Sequence, residues 1–216
     1  MDKTFYAYKK YIYILCTVVT ICCISCKKEV TTTPPKQLDT SLLEEFEVEF
    51  LNTTVWLPTS YEKLTYEALF ELARVEDDAM INMLLQSSKE YRNKEKKPVF
   101  FRDEFMPSNF IAIYPSSYIR LDKKTASYYI SDFAVTMKRQ DQELGITSEI
   151  IEKRIKTFNG HKMVKLKLKQ TSDFIENRYF TQYFISSDIR SFMVIHIDVL
   201  NRDYELNFKN LSVQSN

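Results

Sequence analysis

The chain has 216 residues, 44% hydrophobic and 27% charged, and its 30 Lys and Arg against 29 Asp and Glu leave a formal charge of +1. This composition excludes a disordered chain and a polytopic membrane protein, and the charge balance gives no reason to expect a nucleic-acid partner. The two glycines, Gly145 and Gly160, are too far apart to build the glycine-rich loops that cradle nucleotide phosphates.

All four cysteines, Cys16, Cys22, Cys23 and Cys26, lie at the N-terminus. Lys3, Lys9 and Lys10 form a basic segment, and an apolar run from Tyr11 to Ser25 follows until Lys27 and Lys28 end it. Fifteen helical residues reach about 22 Å, short of the roughly 30 Å bilayer core, so the layout reads as a secretory signal and not a membrane span. Its end, Cys23-Ile24-Ser25-Cys26, resembles the lipobox of bacterial lipoproteins, with Ser25 as the small residue and Cys26 as the lipidated one. The resemblance implies cleavage before Cys26 and anchoring of the mature chain by acyl groups such as palmitate. It also leaves the exported domain without a free thiol, as suits an oxidising compartment. Lys27, standing where inner-membrane lipoproteins carry Asp, resembles an outer-membrane address, and the opening "CKKE" is similar to lipoproteins of Bacteroidota. The expected organisation is a signal peptide over 1–25, a lipidated cysteine and flexible tether over 26–41, and one globular domain over 42–216.

In that domain "FEVEF" alternates as a half-buried strand from Phe46, and "TTVWLP" extends it to Pro58 with a bend at Asn52. Thr59 and Glu62 have capping-box spacing, and Tyr61, Leu64, Ala68 and Leu72 recur at helical intervals, which predicts a helix directly after that strand. Met80, Met83, Leu84 and Tyr91 predict a second helix, followed by a charged, solvated stretch "SKEYRNKEKK". Short strands are predicted over 99–101 and 109–114. Ala126, Tyr129, Ile130, Phe133, Ala134 and Met137 then mark a long helix that stops at Gly145. Asn159-Gly160 between two alternating segments predicts a hairpin, with Val164, Leu166 and Leu168 on one face and Lys165, Lys167 and Lys169 on the other. Strands over 178–185 and 191–199 and a short helix through Tyr204, Phe208 and Leu211 complete the chain.

Helices segregated from a run of antiparallel strands define an α+β fold, an antiparallel sheet packed by helices. With "TTVWLPTSYEKLTYEAL" near its start and "YELNFKNLSV" at its close, this order resembles the PsbP-like α/β sandwich, shared by thylakoid PsbP proteins and the bacterial lipoprotein DcrB. That resemblance implies a non-enzymatic binding or assembly role and supplies no catalytic or binding residues.

The residues themselves point the same way. No glycine-flanked serine elbow is present, and the mature domain has no cysteine besides Cys26. His196 and Asp198 project from one strand face, but two ligands with a distant His161 make no metal site, and no cofactor is expected. Asp77-Asp78 and Asp103-Glu104 read as solvated element ends. Lys165, Lys167 and Lys169, joined by Arg154 and Lys156 across the hairpin, form an exposed cationic row that solubilises the sheet or docks an anionic surface. The function expected is a cell-envelope binding or assembly module with an envelope protein as partner. The rivals are an envelope hydrolase built around His196 and Asp198, and a carrier holding a small ligand between the long helix and the sheet.

Overall fold

A computed structural model of the chain describes residues 40–76, 79–158, 161–172, 177–208 and 211. The strands are β1 (Leu43–Val48), β2 (Thr53–Pro58), β3 (Tyr61–Leu64), β4 (Val99–Asp103), β5 (Phe110–Ser116), β6 (Thr147–Phe158), β7 (His161–Thr171), β8 (Arg178–Ser186) and β9 (Ser191–Asp198). The helices are α1 (Tyr66–Val75), α2 (Ala79–Ser88), α3 (Lys123–Leu144) and the single turn α4 (Glu205–Phe208). The fold is α+β, and no described helix is long and apolar enough to cross a membrane.

Seven strands form one sheet in the order β3-β4-β5-β9-β8-β7-β6, with every neighbouring pair antiparallel. The chain lays down β3, β4 and β5, crosses along α3 to the far edge, and returns through β6 to β9 until β9 closes on β5. Asp122 starts α3 by accepting a hydrogen bond from the Thr125 N–H at 2.8 Å. Gly145, at φ +64°, ends it in the left-handed region that glycine adopts without steric cost. The hairpin of β6 and β7 pairs Phe158 with His161, while Asn159 and Gly160 lie outside the described residues.

Strands β4, β5, β7, β8 and β9 of this sheet each serve two cores. Val164, Leu166, Leu168, Phe180, Ile195 and Ile197 face the helices, where Leu69, Leu84, Ala126, Phe133 and Met137 cover them. On the other face Ile111, Ile113, Met163, Tyr183, Phe192 and Val194 meet Val48, Val55 and Leu57 of the β1–β2 hairpin together with Tyr204, Phe208 and Leu211 of the tail.

Two local expectations are corrected. The extended stretch 46–58 is a hairpin: Asn52 is in the left-handed region (φ 51°) and turns β2 back antiparallel to β1. The helix predicted from Thr59 begins at Tyr66, because residues 61–64 pair with β4 and bury Tyr61. Thr65 is the cap in use, its Oγ1 accepting from the Ala68 N–H at 3.1 Å.

Leu166 is fully buried whereas Ile155, on the adjoining edge strand, is half exposed. Leu166→Ala is expected to cost about 2–5 kcal/mol in urea unfolding, and Ile155→Ala well under half of that.

Candidate functional site

The cationic row does not face water. Lys165 is fully buried and Lys167 nearly so, Lys169 is partly covered, and Arg154 and Lys156 are partly exposed. The expectation of an exposed lysine face is therefore corrected, because residues 199–208 lie across it and bring carboxylates to it. The Lys165 ammonium lies 2.9 Å from Asp203 Oδ2, 3.1 Å from Glu152 Oε2 and 3.4 Å from Glu205 Oε2, and 5.6 Å from the Tyr183 ring centroid. Glu205 also accepts from Lys156 Nζ at 2.6 Å and Arg154 Nη2 at 3.1 Å. Lys167 lies over the Tyr179 ring and reaches the Arg202 carbonyl at 3.4 Å.

Protonation follows from these neighbours. Burial pulls Lys165 down, but its bonds to Asp203 and Glu152 outweigh that and hold its pKa above the ordinary lysine value. Burial alone would raise Asp203 and Glu205, yet Lys165 and Lys156 respectively hold both carboxyls below the usual range. Lys167, buried with weaker compensation, is lowered.

His196 and Asp198 point to the same face under the tail. The Tyr204 ring lies 4.7 Å from the imidazole, and neither ring nitrogen of His196 has a hydrogen-bond partner among the described residues. Arg202 joins Asp198 (Nε to Oδ1, 2.9 Å) to Asp103 (Nη2 to Oδ2, 3.2 Å). Asp103 also accepts from the N–H groups of Phe105 and Met106. His196 and Asp198 thus do meet a further acid, but beneath Tyr204 and not in an open cleft. Burial lowers the His196 pKa to about 3, with partial opposition from the Asp198 charge. Among the described residues no three His, Cys, Asp or Glu side chains are placed to hold a metal ion. His161 is half-buried beside the β6–β7 turn, and Cys26, Asp77 and Asp78 lie outside the described residues.

An open site lies elsewhere. A groove of about 1450 Å³ runs beside the β3 end of the sheet, between the β1–β2 turn, α1 and residues 89–98. Phe50, Tyr66, Phe70 and Tyr91 supply its aromatic surface. Tyr91 is held by a hydrogen bond to the Pro115 carbonyl at 2.8 Å. The rim mixes Lys63, Lys89, Arg92, Lys96 and Lys97 with Glu49, Glu67, Glu71 and Glu95. The predicted carrier space between the long helix and the sheet is filled instead, with Phe133 on Phe180 and Tyr129 on Phe184 at ring separations of 6.3 and 4.9 Å.

No protein-family model matches the chain, and no curated protein matches it. The structure is similar to the solution structure of cyanobacterial PsbP (CyanoP) from Synechocystis sp. PCC 6803, with a TM-score of 0.46 and 11% identity over 82% of this chain and 90% of that one.

Two outcomes follow from the buried charges. Lys165→Met is expected to lower stability by about 3 kcal/mol by stranding its carboxylates, while Lys169→Met changes it by less than about 0.5 kcal/mol; urea titration separates them. Because His196 stays neutral in the fold, the unfolded chain takes up a proton below about pH 6.5 that the folded one refuses, and stability falls as pH drops towards 3. The depressed carboxyls of Asp203 and Glu205 act in the same direction below about pH 4.5, their contribution being lost as they protonate. His196→Leu should therefore flatten the stability profile between pH 6.5 and 4.5, by on the order of 2 kcal/mol at pH 5, and leave the steeper acid limb.

Proposed function

We propose that this protein is a lipoprotein of the cell envelope, held at the outer membrane through lipidated Cys26, whose α+β domain is a non-enzymatic binding or assembly module. The anchor rests on the basic, apolar and Ser25-Cys26 succession of the N-terminal sequence. The binding role rests on the groove beside β3. At about 1450 Å³ and open to solvent, it is larger than the clefts that enclose small ligands, and its aromatic walls and mixed-sign rim suit a segment of another protein. Five basic and four acidic lining residues give no excess charge that would select a nucleic acid or a simple anion.

A photo-reactive phenylalanine analogue at Phe70, in the groove, is expected to give a discrete adduct with one envelope protein in intact cells. The same probe at Tyr128, exposed on α3, should not. Adding Phe50→Glu should weaken that adduct about tenfold, or about 1.4 kcal/mol. Equal labelling from both positions would sink the groove assignment. Intact-mass analysis of membrane-extracted protein tests the anchor, with a mature chain beginning at Cys26 plus lipid expected, and its loss in Cys26→Ala.

A further inference from the structure

The strand directions bring three separate turns and the start of the described chain to one end of the domain. Leu42 accepts from the Thr59 N–H at 3.1 Å through its carbonyl, and Ser60 accepts from Glu104 at 2.8 Å, so the chain enters beside the β4–β5 turn. The Val199 N–H bonds Asn109 Oδ1 at 3.0 Å, which brings Leu200 to that same turn. Arg102 holds Glu76 at 2.7 Å, which brings the last residue of α1, Val75, there too. At this end four apolar side chains stand in water: Leu42 at 70%, Val75 at 76%, Phe105 at 82% and Leu200 at 55% exposure.

Exposed apolar side chains at separate loop tips are what an interfacial contact with lipid requires, since each can enter the headgroup boundary without unfolding anything behind it. Two arginines at this end, Arg102 and Arg202, are already engaged by Glu76, Asp103 and Asp198, so apolar insertion carries the contact. The opposite end also exposes apolar groups, Ile189 at 70% and Tyr118 at 50%. What separates the two ends is the point of chain entry. Cys26 precedes Thr40 by fourteen residues. The described chain begins at the Leu42 end, so a bilayer there lies beside the point at which the anchoring sequence joins the domain, whereas the Ile189 end lies about 30 Å away along the sheet.

We infer that the end bearing Leu42, Val75, Phe105 and Leu200 seats on the lipid bilayer that holds the anchor. This rests on the lipid-anchor reading above. The test uses full-length lipidated protein carrying a single added cysteine, Phe105→Cys or Ile189→Cys, labelled with an environment-sensitive fluorophore. The protein is reconstituted into vesicles of phosphatidylethanolamine and phosphatidylglycerol containing nitroxide lipid. Flotation with the vesicles, lost in Cys26→Ala, reads the anchor independently, and a chain that does not float overturns the anchor reading and this inference with it. In floating protein the label at 105 is expected to shift to the blue and to be quenched at least twice as strongly as that at 189, with little change on raising the salt. Equal quenching, or stronger quenching at 189, overturns the seating. A blue shift at 105 without lipid quenching also overturns it, and assigns the apolar end to a protein contact.

Discussion

An ammonium group shut away from water must be met by anions on the face where it sits, and this requirement at Lys165 ties the edge strand β6 and the segment after β9 to β7. Glu152 comes from the edge strand, and Asp203 and Glu205 come from the segment after β9. That same segment carries Arg202 to Asp103 and Asp198, Tyr204 over His196, and Phe208 and Leu211 into the second core. Asn207 adds a bond to the Trp56 carbonyl at 2.7 Å, which ties the tail to the β1–β2 hairpin. The second face of the sheet is thus closed by charge and apolar contact together, and neither group of contacts can be removed without exposing the other.

Much of this architecture was legible. The long helix with its glycine stop, the paired strands around Asn159-Gly160 and the inward set Val164, Leu166 and Leu168 all follow from periodicity, because burial on one face leaves a repeat in the sequence. What periodicity does not say is whether the other face is wet. Alternating lysines show only that the two sides of β7 differ, and the carboxylates that meet Lys165 and Lys156 from the tail lie 38 to 49 residues away. The acids of "RDYELNF" were the available signal, since Asp203 and Glu205 alternate as Lys165 and Lys167 do. The helix start was displaced for a related reason. Thr59 and Thr65 both offer a cap, and the choice was made by β4, which took residues 61–64 as a partner strand. The groove left no local signature, being assembled from residues 49–50, 63–71 and 85–99.

The groove and the apolar end occupy different ends of β3 and β4. Leu64, Thr65, Pro98 and Val99 line the groove, while Tyr61 and Asp103, which pair with each other, lie at the end where Phe105 is exposed. With that end on lipid, as inferred above, the groove lies at the far end of β3 and β4 from the bilayer and is left accessible. The same orientation keeps the basic segment 89–97 clear of the surface, so its charges remain available to the rim of the groove.

The dependence of β7 on a segment made some forty residues later also orders events during synthesis. Until Asp203 and Glu205 have emerged, a nascent chain that pairs β7 with its neighbours strands an ammonium between strands, with Glu152 as the sole acid of its three partners yet made. The charge of Lys165 is therefore fully met only once residues 203 and 205 are in place against β7. A charged core residue in this way couples β7 to a segment some forty residues further along the chain.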